Sequence, residues 1–141
     1  MSGAARHAVA GAVAAAAWTL LEPLDRRLLR HDYSDVALLG KWVTRGPLWR
    51  PVGVGLHLAN GAAFGLALHA LRSRTGTDGR RAALGLALAE HVALFPLSAL
   101  VDRYHPARGE PGVVHVFSPR AFAQATGRHA LFGAVLGRLV R

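Results

Sequence analysis

Glu90 and His91 stand side by side in "LALAEHVALFPL", Arg128 and His129 in "TGRHALFG", and His57 and Asn60 in "HLANGAAFG", each surrounded by apolar residues. These side chains could do four kinds of chemistry. Glu90 and Arg128 can form an ion pair that lets a marginal helix enter hydrocarbon. A carboxylate among His57, His91 and His129 can relay protons near neutral pH and serve as an ion or proton pathway. His and Glu from several helices can converge on zinc, iron or copper. His57 and His129 can act as axial ligands of a haem.

The spacing narrows these options. Glu90 and His91 are adjacent and diverge by about 100° on a helix, so they lack the Glu-x-x-His spacing of di-iron bundles. There is no G-x-S-x-G, no H-E-x-x-H and no phosphate-binding loop with its Lys. With no Cys there is neither a thiolate nucleophile nor a Cys-based metal site. Nothing in the chain points to an enzyme.

The elements that must position these residues follow from composition. The chain has 141 residues, one domain's worth, with 52% apolar and only 18% charged residues, against about 25% charged in a soluble domain. Four apolar segments cover about 4–24, 51–71, 82–101 and 119–140. The second runs from Pro51 to Leu71 without a charge, 21 residues, enough for about 30 Å of hydrocarbon as a helix. The first, with Arg6 ahead of "AVAGAVAAAA", could pass for a signal peptide, but Trp18 to Leu21 carry the apolar run past any cleavage point. Pro96 predicts a kink in the third, and Ser118-Pro119 predicts a capped start for the fourth. Ser34 predicts the cap of a short interfacial helix from Asp35 to Val43, with Lys41 and Trp42 at a membrane–water boundary. The expected fold is all-α: a four-helix transmembrane bundle plus that interfacial helix.

Arg128 makes the fourth segment marginal. Its strongly apolar residues each favour insertion by about 0.3–0.6 kcal/mol, and a central Arg opposes it by about 2.5–3.5 kcal/mol. At about 1.5 Å per residue from the segment ends, Glu90, His91, Arg128 and His129 share a midplane layer, with His57 and Asn60 within a turn of it. Glu90 is thus the expected partner of Arg128. Gly61 and Gly65, and likewise Gly133 and Gly137, have the small-xxx-small spacing of close helix packing.

The chain also repeats itself. "HLANGAAFG" and "HALFGAVLG" both read H-x-x-x-G-A-x-x-G, and "LEPL" and "LFPL" precede them, at offsets of 72 or 73. That predicts two related hairpins, 1–72 and 73–141, in parallel repeat.

In overall form and in the style of "HLANGAAFG", the chain resembles the small Ala/Gly/Arg-rich four-pass membrane proteins of bacteria. The resemblance implies a multi-pass protein of the plasma membrane and brings no activity. In size, span count and weak charge bias the chain is also similar to fluoride channels and small multidrug transporters. It lacks the Thr/Ser/Phe-rich break of a fluoride channel's third helix, and its carboxylate lies in span three where the transporters have theirs in span one, so no residue carries over.

The expected partners are the bilayer, anionic lipid headgroups and a second copy of the chain. Net charge is +9, but the arginines punctuate apolar segments and form no stripe with interleaved aromatics, which argues against nucleic acid. Lys and Arg divide nine against seven between the two sides, which assigns no orientation. Three functions follow: a polar layer that specifies helix pairing, a small transporter or channel that uses the layer, and a metal- or haem-binding redox component. No cofactor is required by the first two.

Overall fold

A computed structural model describes all of residues 1–141. It is all-α: α1 Gly3–Leu28, α2 Asp35–Val43, α3 Trp49–Thr75, α4 Gly79–Leu94, a 3₁₀ turn Phe95–Leu97, α5 Ser98–Tyr104 and α6 Pro119–Leu139. The boundaries have local causes. Ser34 caps α2 by accepting from Ala37 N–H at 3.0 Å, and Ser118 caps α6 by accepting from Ala121 N–H at 3.2 Å, with Pro119 in the first turn. Asp78 accepts from Arg80 and Arg81 N–H at the start of α4. Gly76, at φ 67°, ends α3 in the left-handed conformation that glycine adopts without strain. Pro96 cannot donate a helical hydrogen bond, and the 3₁₀ turn around it joins α4 to α5 as one rod.

Three elements are long and apolar enough to cross a membrane: Gly3–Leu28, Trp49–Thr75 and Gly79–Tyr104. The fourth long helix, α6, is not among them; Arg120, Arg128 and Arg138 interrupt it.

Four-residue stripes of small residues determine the packing. Gly3, His7, Gly11 and Ala15 of α1 run antiparallel against His57, Gly61, Gly65 and His69 of α3. Backbones touch here: a Cβ on Gly11 would fall on the Gly61 carbonyl, and one on Gly65 would fall on the carbonyl of His7. α2 continues the same face, with Gly40 on Trp49 and Gly53 on Val36. In the second pair, Gly133 meets Leu84 Cα at 2.8 Å from an added Cβ, and Gly137 meets Arg80 Cα at 2.8 Å. The partners of Gly61 and Gly65 (Gly11, His7) and of Gly133 and Gly137 (Leu84, Arg80) are offset by 73 residues, and the glycines themselves by 72.

The two pairs join through α1 and α6, where Ala10, Ala14 and Trp18 pack with Phe132, Leu136 and Val140 in the main core. α3 and α4 meet near their shared turn and make few contacts beyond it. Over one end lies a cap built from the two long links. His105, fully buried, bonds the Leu38 carbonyl at 2.9 Å, Ser34 N–H donates to the Gly112 carbonyl at 2.9 Å, and Asp102 accepts from Val116 and Phe117 N–H at 2.8 and 2.9 Å. Lys41 is drawn into this cap. Buried at 8% exposure, it donates to Pro111 O at 2.9 Å and Glu110 Oε2 at 3.2 Å, so it does not sit at an open interface as expected.

Candidate functional site

The most polar part of the interior surrounds Arg128, which is 3% exposed. Its Nε and Nη2 donate to the two oxygens of Asp25 at 2.5 and 2.7 Å, its Nη1 to Asp35 Oδ2 at 2.6 Å, and its Nη2 also to the Tyr33 carbonyl at 2.9 Å. The Tyr33 ring lies 4.9 Å from the guanidinium carbon. The carboxylates are held in turn: Gln124 donates to Asp25 at 2.7 Å, Trp18 Nε1 to Asp35 Oδ2 at 3.1 Å, and the Tyr33 hydroxyl to Asp35 Oδ1 at 2.5 Å.

Burial alone would raise the pKa of Asp35, but the Arg128 charge and the Tyr33 hydroxyl outweigh it and hold the carboxyl below its ordinary value. The same burial and the Asp35 charge push Tyr33 well above the usual phenol range, so its hydroxyl stays a donor. On the rim, Arg26 pairs with Asp32, and the Gly112 N–H donates to the same side chain at 3.0 Å.

Glu90 is absent from this network. None of the six ion pairs includes it. The expected Glu90–Arg128 pair is therefore replaced by Arg128 with Asp25 and Asp35. The physical reason is register: α6 runs antiparallel to α1 with Arg128 opposite Asp25 at the charged end of α1, and α2 folds back to bring Asp35 in. Matching segment midpoints placed Arg128 too deep.

Glu90 faces a different feature. Where α3 and α4 part, a cavity of about 300 Å³ is walled by all four long helices and roofed by α2 and α5. His57 and Asn60 reach it from α3, Glu90 and His91 from α4, and His129 from α6. These five candidates do come together, and Arg128 does not join them. His91 and His129 stack with centroids 4.8 Å apart at 29°.

Hydrogen bonds assign their neutral tautomers. His129 Nδ1 lies 2.8 Å from the Ala125 carbonyl and must donate to it, which leaves Nε2 with a lone pair. The single hydroxyl proton of Thr126 goes to the Phe122 carbonyl at 2.8 Å, so His91 Nε2, 2.9 Å away, must donate to Thr126, and its Nδ1 keeps the lone pair. His57, 5% exposed, has no partner for Nε2.

The metal and haem readings do not fit this arrangement. No three His, Asp or Glu side chains converge as ligands. Trp18 packs its indole edge-on against His57 at 5.1 Å and against His129 at 4.8 Å, occupying the place a macrocycle between them would need. Gly61 and Gly133 are committed to helix contacts.

Sequence reasoning missed Asp25, Asp35, Tyr33 and Trp18. A signal for Trp18 was present, as the one large residue breaking "AVAAAAWTL" next to a polar layer; Asp35 is indistinguishable in sequence from an ordinary first-turn helix acid. No protein-family model, curated protein or solved structure matches the chain.

Proposed function

We propose that the chain is an integral protein of the bacterial plasma membrane, in which α1, α3, the α4–α5 rod and α6 cross together, and that the cavity between α3 and α4 is a binding chamber of a small transporter or channel. The chamber itself carries this reading: a carboxylate free of any ion pair, Glu90, and three imidazoles share a space among helices of which three are apolar enough for lipid, where such groups persist when they serve a pathway or ligand.

The structural role belongs to other residues. Arg128 with Asp25 and Asp35 keeps α6 in the bundle, which answers the insertion deficit of that helix. Gly61, Gly65, Gly133 and Gly137 serve close packing, and the matching 72- and 73-residue offsets of their contacts support two related hairpins. The arginines at the helix ends suit anionic headgroups.

Two measurements test the reading. Alkaline carbonate should leave the expressed protein in the membrane fraction, and release into the supernatant would refute integral insertion. Maleimide labelling of single cysteines at Ser2, Gly46, Thr77 and Arg108 should place Ser2 and Thr77 on one side and Gly46 and Arg108 on the other. Labelling of Arg108→Cys and Arg141→Cys from the same side would refute a fourth crossing.

A further inference from the structure

The chamber's chemistry is one-sided. No Arg or Lys lines it, although the chain has 17. The buried Arg128 spends its N–H groups on Asp25, Asp35 and Tyr33. Two carboxylates line the space: Asp35, whose oxygens accept from Arg128, Tyr33 and Trp18, and Glu90, half-buried and without a hydrogen bond or ion pair; beside them His91 and His129 each keep a lone pair on the nitrogen that makes no hydrogen bond. His57 Nε2 is a buried polar atom with no partner on this wall. Most of the remaining lining is apolar, and Trp18, Tyr33, Phe64, Phe95 and Phe132 give it aromatic faces. Acceptors and π-faces without a competing cation suit a ligand that brings positive charge, N–H donors and an apolar body.

The way in fits the same ligand. Leu94 and Leu97 line the chamber and are exposed, as is Asn60 across from them, so the mouth lies on the outer surface where α3 and α4 separate. In a bilayer that mouth faces acyl chains. An amphiphile dissolved in the membrane reaches it sideways.

Building on the reading of the cavity as a membrane chamber, we propose that it binds small amphipathic organic ammonium ions, with Glu90 taking the ammonium group, the imidazole lone pairs accepting its other N–H bonds and the aromatic wall holding the apolar body. About 300 Å³ is room for a monoamine with one aromatic ring.

The test uses the full chain in phosphatidylcholine nanodiscs and isothermal titration calorimetry with three probes: phenethylammonium, its neutral analogue 2-phenylethanol, and trimethyl(phenethyl)ammonium. Phenethylammonium should bind saturably at one site and at least tenfold tighter than the alcohol. The quaternary ion, which has charge but no N–H, should fall between them. Glu90→Gln should bring phenethylammonium down to the level of the alcohol and leave the alcohol unchanged, and Glu110→Gln, on the cap, should change neither.

Equal binding of amine and alcohol, full amine binding by Glu90→Gln, displacement by sodium chloride alone at matched ionic strength, or no saturable binding to protein with an intact helical spectrum would each overturn the proposal. A carbonate-resistant protein that fails this test loses only the ammonium assignment. A protein extracted by carbonate loses the membrane reading itself.

Discussion

Removing Arg128 should expose how the interior charges are balanced. In Arg128→Gln, Asp25 and Asp35 lose their shared counter-charge while Trp18, Tyr33 and Gln124 still hold them in place. Breaking a buried pair from one side costs about 3–5 kcal/mol, because the remaining charge stays buried without compensation. Asp25→Asn should cost less, about 1.5–3 kcal/mol, the range for one charge-assisted hydrogen-bonded contact, since Arg128 keeps Asp35. Glu90→Gln touches no ion pair and should stay within about 0.5 kcal/mol of the parent. Unfolding by SDS titration in mixed micelles, followed by far-UV circular dichroism, measures all three. The decisive quantity is coupling. Arg128→Gln with Asp25→Asn should recover at least about 1 kcal/mol relative to the sum of the singles, whereas Arg128→Gln with Glu90→Gln should be additive within about 0.5 kcal/mol. Coupling of Arg128 to Glu90 and additivity with Asp25 would refute the register of α6 on α1.

Three further outcomes are expected. Gly11→Ala and Gly61→Ala should each lower the unfolding free energy by about 1–3 kcal/mol through overpacking, whereas Gly55→Ala and Gly85→Ala, with nothing within 4 Å of the new methyl, should gain about 0.5–1 kcal/mol; equal effects in the two sets would remove the backbone contact. Acid should destabilise the fold in two stages. Burial holds His31 below the ordinary imidazole value, so its neutral form favours the fold, and that contribution fades as pH falls below about 6.5. Asp32 is lowered too: its burial is outweighed by the Gly112 N–H and Arg26, and Asp35 is held down by Arg128 and Tyr33, so these contributions are complete above about pH 4 and are lost as pH drops through the depressed values. Thermal scans at pH 8, 5.5 and 3 check both stages, and an unfolding temperature that rises on acidification would contradict them. Tyr33→Phe should weaken the cap without unfolding the bundle, because only the bond to Asp35 is lost; the Tyr33 carbonyl still serves Arg128.

The helices were legible in the sequence because their punctuation is local. Ser34, Ser118-Pro119 and Pro96 act within one or two turns of themselves, and each marks the boundary expected of it. The partner of Arg128 was not legible, because it depends on how far α6 slides along α1, and apolar segments in an Ala/Gly-rich chain carry no ruler for that slide. The five candidate residues that line the chamber could be grouped from the sequence for a different reason. His57, His91 and His129 each stand in a stripe of small residues repeating every four positions, and such stripes face a neighbouring helix whatever their exact depth. Pro23 shows the limit of the repeat: it sits within continuous α1, whereas its counterpart Pro96 interrupts the third rod.

The same stripes explain why a chamber exists. α1 has two packing faces, Gly3–His7–Gly11–Ala15 toward α3 and Ala10–Ala14–Trp18 toward α6; α6 likewise has Gly133–Gly137 toward α4 and Phe132–Leu136–Val140 toward α1. α3 and α4 each spend their one small-residue stripe on these partners, and what they turn to each other includes Phe64, Leu94 and Phe95. Large side chains on both lips, with Trp18 wedged behind them against His57 and His129, keep the seam from zipping shut. An open seam has a consequence in a chain without cysteine. Asn60→Cys lies on the lip and Ala59→Cys beside it on the outer face of α3. A membrane-soluble aryl diazirine, whose photogenerated carbene inserts into S–H bonds without needing the thiolate, should modify both in nanodiscs, and saturating phenethylammonium should reduce labelling of only Asn60→Cys, by at least fivefold. Equal protection of the two would mean that the amine acts on the bilayer and not in the seam. No protection of Asn60→Cys, at concentrations where calorimetry shows the site filled, would put the entrance elsewhere.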